Sequence, residues 1–320
     1  MTKLAISMFH RLNVCDGSER VSVSARKAQE LLCYLVLFRD RAHTREVLAE
    51  TLWAESGPKQ SRSNLRKALW HLRSTMCVDD GAAHELLLVG AEWIRIHPEA
   101  DVDLDIEAFE DAYEAVEGAA GVELTSQQVE QLRNAVELYR GDLLEGWYQD
   151  WCLHERQRFQ FMYLAMLDKL IGYAEANGDY DVGIGYCTRV LRHDWARERT
   201  HRQLMRLYYL AGDRSAALEQ YDHCVRALRE DLDVEPDART TRLYREIRGQ
   251  FGGAVTEPAA FEAAAPEAEL AELLQRLREH RDALADIHRQ IDSEISRINL
   301  LVHTHQMGRP AGRVLAGGAI

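Results

Sequence analysis

The chain has 320 residues, 46% hydrophobic and 28% charged, a globular composition with room for more than one domain. It holds no run of roughly 18 apolar residues, and its start lacks the basic end, apolar block and small-residue cleavage site of a secretory signal, so a cytoplasmic protein with no membrane segment is expected. Six cysteines, at 15, 33, 77, 152, 187 and 224, lie far apart without CxxC or zinc-ligand spacing, which predicts buried free thiols rather than disulfides or structural zinc.

The net charge of −13 argues against a protein that coats nucleic acid or anionic membrane, but it is unevenly spread. Residues 1–99 carry 14 Lys+Arg against 12 Asp+Glu, and the remainder 25 against 40. Lys59, Arg62, Arg66, Lys67 and Arg73 fall within residues 58–76 with no acid among them. One basic segment therefore sits on an otherwise acidic protein.

In chain order, LAISMFH and ERVSVS read as short strands around an Asp16-Gly17 turn signal. Ser24 is placed to cap a helix running to Phe38 with an apolar stripe of Ala28, Leu31, Leu32, Leu35 and Phe38. A shorter helix follows Thr44, with Val47, Leu48, Leu52 and Trp53 expected to be buried, and ends at Gly57-Pro58. A third helix spans Pro58 to Met76, its core stripe Leu65, Leu69, Leu72 and Met76. Residues 86–96 carry a hairpin signal, two apolar runs about Gly90-Ala91. Strands, three helices and a hairpin are the order of a winged helix-turn-helix.

From Asp105 to about Gly249 the pattern is helical. Asn177-Gly178-Asp179 and Ala211-Gly212-Asp213 stand 34 residues apart, and Leu170/Leu204, Tyr173/Leu207, Ile184/Leu218 and Val190/Cys224 match at the same offset. That is the tetratricopeptide (TPR) period, in which each helix pair buries an apolar face against the next. The expected fold is thus mainly α with small β. The domains are residues 1–100, a winged helix; 101–250, a TPR-like helical domain; 251–266, a linker; 267–306, a coiled-coil helix; and 307–320, a flexible tail. Leu270, Leu277, Leu284, Ile291 and Ile298 recur every seven residues and are the expected oligomerisation stripe of a homodimer or higher homo-oligomer.

With the core stripe inward, the outward face of the third helix carries Lys59, Ser63, Arg66, Lys67, Trp70 and Ser74, flanked by Arg62 and Arg73. Taken alone, such a basic run reads as a solvated face. Between a short helix and a hairpin it reads as a surface for the DNA major groove, where Arg and Lys donate to guanine edges or neutralise phosphates. Arg95 on the hairpin is either a wing contact to DNA or an exposed strand residue. Thr44 and Arg45 either hold a phosphate at a helix start or serve the helix itself. No phosphate-binding loop, dinucleotide fingerprint, nucleophile elbow or zinc-protease motif occurs, so no enzyme activity and no cofactor or metal is expected. Asp101, Asp103 and Asp105 read as a solvated connector rather than a calcium loop.

Residues 24–97 (SARKAQELLCYLVL, TREVLAETLWAE, SNLRKALWHLRSTM, LLLVGAEWIRI) resemble the OmpR-type winged helix of the Streptomyces antibiotic regulatory proteins, the SARP group. Residues 103–247, with LYRGDLLEG and AGDRSAALEQY…EDLDVEPDARTTRLYREI, resemble the bacterial transcriptional activator domain that follows it in that group. The resemblance implies an activator that binds direct repeats near promoters and uses its helical domain for dimerisation and RNA polymerase. One departure is the turn His193-Asp194-Trp195, where the group's pattern has a hydrophobic residue followed by proline. Two other functions compete. One is a ligand-gated regulator that binds a small signal such as an anionic nucleotide through Arg189, Arg192, Arg199 or Arg202, with Arg197 beside them; the other is a protein-binding scaffold. If the halves divide the work, a fragment of residues 1–100 retains sequence preference but binds more weakly and fails to activate.

Overall fold

The computed structural model describes residues 4–76 and 86–249. Strands β1 (Leu4–Ser7), β2 (Asn13–Asp16) and β3 (Glu19–Arg20) open the chain, with β1 and β2 antiparallel from Leu4↔Asp16 to Ser7↔Asn13. Gly17 makes the β2–β3 turn at φ 58°, a conformation that costs glycine nothing. The expected strand through Ser24 stops at Arg20, because Val23 turns into the core and its carbonyl accepts the Gln29 side-chain amide at 2.6 Å. The expected Ser24 cap is not made: helix α1 (Arg26–Leu37) begins after Ala25 with no side-chain cap. Its stripe of Ala28, Leu31, Leu32 and Leu35 is fully buried.

Strand β4 (His43–Thr44), helices α2 (Arg45–Leu52) and α3 (Pro58–Met76), and strands β5 (Leu87–Val89) and β6 (Trp93–Ile96) complete the winged helix. The hairpin β5–β6 extends onto β4 through His43↔Ile94 and Thr44↔Trp93. Val47 is 47% exposed rather than buried, because α2 turns Leu48, Ala49 and Leu52 inward and Val47 falls outside that narrow stripe.

The acidic stretch after the hairpin is not a solvated connector. Val102–Leu104 form β7, parallel to β1, and Asp105 accepts hydrogen bonds from the backbone N–H groups of Met8 and Phe9 at 2.7 and 3.0 Å. Burial raises the Asp105 pKa, opposed in part by those N–H groups. Helices α4 (Asp105–Glu114), α5 (Ser126–Leu138) and α6 (Asp150–Asn177) follow. After them come α7 (Tyr180–His193), α8 (Glu198–Leu210), α9 (Arg214–Leu232) and α10 (Ala238–Gly249).

Helices α6 to α9 pack in succession and α10 covers α8 and α9, a TPR-like stack. Its repeat is visible in detail, since Gly178 and Gly212 occupy equivalent turns at φ 77° and 85°, and Leu170/Leu204 and Val190/Cys224 are buried pairs. The heptad residues and the linker and tail assignments lie outside the described residues.

The winged helix and the first activator helices share one core. Phe9 beyond β1 meets Phe109, Tyr139 and Phe159 with ring centroids 4.9, 5.1 and 5.5 Å away, and Tyr34 of α1 stands edge-on to Trp151 of α6. The loop between α5 and α6 closes the seam: His10 N–H donates to the Asp142 carbonyl, and the Leu144 and Glu145 N–H groups donate to the Met8 and His10 carbonyls. Arg156 then donates to the carbonyls of Leu143, Leu144 and Trp147 at 2.8–2.9 Å. A Cβ at Gly141 would come within 3.3 Å of His10, so the glycine of LYRGDLLEG permits this close approach.

Candidate nucleic-acid interface

Pro58 starts α3 where its missing N–H is no loss and its fixed φ is already helical. Ser61, 3% exposed, lies with its hydroxyl within 3.1–3.2 Å of the Trp53, Ser56 and Gly57 carbonyls and so fixes the α2–α3 turn. The sequence reading missed this residue, whose only signal is a serine on the inward side of a basic helix. Leu65, Leu69 and Leu72 are buried, which orients everything else on the helix.

Lys59, Arg62, Arg66, Lys67, Arg73 and Ser74 are exposed, Ser63 is half-buried, and Trp70 is 66% exposed with His71 edge-on to its ring. Lys59, Arg66, Lys67 and Arg73 have no carboxylate partner among the described residues. Arg62 pairs with Glu46 of α2 at 2.6 Å, both side chains largely in water. Such a pair is worth little and exchanges readily for another anion. Gln60 and Asn64 add amides one turn apart, linked at 2.9 Å, of the type that reads adenine edges; the sequence reading passed over them.

The structure places the remaining candidates elsewhere. The Thr44 hydroxyl caps α2, accepting from Val47 N–H at 3.3 Å. Arg45 donates to the Gly90 carbonyl at 3.1 and 3.3 Å and thereby ties α2 to the hairpin turn. Arg95 is half-buried, donates to the Ile96 carbonyl, and lines a cleft of about 600 Å³ with Arg39, Glu107, Glu110 and Glu155. In that cleft Arg39 and Arg158 both reach Glu110 at 2.6 Å, an ion network that joins the turn after α1 to α4 and α6.

The arginines suggested for an effector do not share a pocket. Arg189 faces α5 and α6, bonded to Glu137, the Val136 carbonyl and Tyr163, whereas Arg202 faces the start of α10 through Asp237 and Thr240. Arg197 pairs with Asp168 at 2.8 Å, while Arg192 and Arg199 are exposed.

Residues 104–248 match the bacterial transcriptional activator domain. That domain follows the winged helix in the SARP-type transcriptional regulators, which the chain resembles. The chain is similar to the transcriptional regulatory protein MoaR1 of Mycobacterium tuberculosis, 24% identical over 242 residues that cover 72% of this regulator and 75% of MoaR1. It is 24% identical to the regulatory protein DnrI of Streptomyces peucetius over 76% of this chain and 92% of DnrI. The match to AfsR of Streptomyces coelicolor is 25% identical and covers 80% of this chain, yet only 24% of AfsR. Among solved structures, Mycobacterium tuberculosis EmbR in complex with a low-affinity phosphopeptide aligns with a TM-score of 0.59 at 22% identity. That alignment covers 78% of this chain and 66% of EmbR, and it shows a shared fold. MoaR1, DnrI and AfsR are all named as regulatory proteins. No helix among the described residues is long and apolar enough to cross a membrane.

Proposed function

We propose that the regulator binds double-stranded promoter DNA in a sequence-specific manner, with α3 in the major groove. The observation that carries this reading is the outward face of α3, where Lys59, Arg66, Lys67 and Arg73 stand in water, without carboxylate partners among the described residues, around the exposed Trp70. Arg66 and Lys67 are the base-edge or phosphate contacts, Arg62 exchanges Glu46 for a phosphate, and Thr44 and Arg45 hold α2 and the wing turn in place behind α3. The protein acts in the cytoplasm, where promoter DNA is.

The acidic remainder of the chain is repelled by DNA, which favours a role for the activator domain away from the duplex, in recruiting RNA polymerase. The heptads at Leu270, Leu277, Leu284, Ile291 and Ile298 support a homo-oligomer that places two α3 helices on repeated half-sites about one DNA turn apart. Selection of bound sequences from a random DNA library by the full chain, followed by transcription from a promoter carrying the selected site, tests the reading. Enrichment of a repeated motif and increased transcript are expected; recovery of unselected DNA would overturn it. Light scattering of the full chain and of a chain ending at residue 265 checks the oligomer, and a monomeric full chain would contradict it.

A further inference from the structure

Helices α7, α8 and α9 enclose a groove of about 340 Å³, within the size range of small-molecule sites. Leu191 of α7, Trp195 of the α7–α8 turn, and Leu204 and Tyr208 of α8 give it apolar and aromatic walls. Trp195 is 39% exposed and stands in the turn between α7 and α8.

The polar floor is organised. His201 and Gln220 are 4% and 9% exposed. The His201 Nε2 lies 2.7 Å from the Trp195 carbonyl and must donate to it, which leaves Nδ1 to accept from the Gln220 amide at 2.5 Å. The ring is therefore neutral with both nitrogens occupied, and burial lowers its pKa in the same sense. The Gln220 carbonyl oxygen has no partner among the described residues, and the amide's second N–H is likewise uncommitted.

Charge distinguishes this groove from the rest of the protein. No carboxylate lines it, whereas the cleft beside α4 is lined by Asp40, Glu107, Glu110, Glu114 and Glu155. Its lining residues that can carry a positive charge, besides His201, are His223 and Arg226 of α9. Arg226 is exposed and has no carboxylate partner among the described residues. His223 has Glu219 only at 3.9 Å. A cation and a buried amide beside an aromatic slot, on a chain of net charge −13, complement one kind of ligand.

We propose that the α7–α9 groove binds a small aromatic or aliphatic carboxylate, its apolar body between Trp195, Leu191 and Tyr208 and its carboxylate at Arg226, with Gln220 as the second polar contact. Such a ligand is neither a nucleotide nor DNA, and its binding does not depend on α3. The test uses the full chain without DNA and the probes 3-phenylpropionate, indole-3-acetate and octanoate, each compared with its primary amide by isothermal titration and saturation-transfer NMR.

At least one acid is expected to bind with Kd below about 1 mM, and its amide about tenfold more weakly. Arg226→Gln, at an exposed position, should erase the preference for the acid while circular dichroism and Tm stay unchanged. Trp195→Phe should retain binding that Trp195→Ala loses. No binding of any acid at about 10 mM, equal binding of acid and amide, or an unaltered preference in Arg226→Gln would overturn the proposal.

Discussion

The outward face of α3 and the seam around Phe9 each contain a segment that the SARP resemblance singles out, SNLRKALW and LYRGDLLEG, yet they are opposite in physical character. On α3 the long cationic side chains stand in water, and removing one takes little packing with it. At the seam, Phe9, Phe109 and Phe159 are at most 5% exposed, and the loop carbonyls are saturated by Arg156. Fully burying one such phenyl ring is worth about 1.5–3 kcal/mol. LYRGDLLEG thus serves the union of the two halves, while SNLRKALW leaves its outer residues free for a partner. Changes at the seam should unfold the regulator, and changes on α3 should spare the fold.

The largest effect concerns residues 1–100 in isolation. The sequence alone suggests a working DNA-binding fragment, but the cut removes β7, Asp105 and every aromatic partner of Phe9. The fragment is expected to show no cooperative thermal unfolding, whereas residues 1–251 should show one; a sharp transition in the short fragment would break the contrast. Next, Phe9→Ala should lower the unfolding free energy by about 3–5 kcal/mol in urea titrations, because the ring is enclosed by residues that cannot close over the gap.

Smaller effects sharpen the comparison within the winged helix. Thr44→Ala removes the α2 cap and should cost about 1 kcal/mol of stability, with operator affinity changed only as far as folding is. A reduced salt slope in this variant would instead show a phosphate at Thr44. Arg95→Ala should shift operator affinity by less than about 0.5 kcal/mol, since Arg95 lines a cleft crowded with glutamates rather than an open cationic face. A larger loss in a filter-binding assay would return Arg95 to the DNA surface.

The legible parts of the sequence were those where period and chemistry coincide. Leu65, Leu69 and Leu72 fix the inward side of α3, so the basic face follows by rotation. The 34-residue offset likewise marks equivalent turns at Gly178 and Gly212, because only a turn with positive φ demands glycine at both. By contrast, β4 and β7 are two and three residues long and pair with strands far along the chain, so no local period betrays them. Contact between Phe9 and Phe109 leaves no trace in either segment alone. The arginines from 189 to 202 show the converse limit: closeness in sequence is no convergence when helix rotation sends Arg189 to α5 and Arg202 to α10.

The DNA-reading role of α3 is tested most directly by the salt dependence of operator binding for wild type, Arg66→Ala and Lys67→Ala, all of them folded. Each variant is expected to keep the wild-type Tm. A side chain that reads a base should lose about 1–3 kcal/mol of affinity at its site, and one that holds a phosphate should reduce the slope of log K against log[salt] by about one. Wild-type affinity and slope in both variants would contradict DNA recognition by α3.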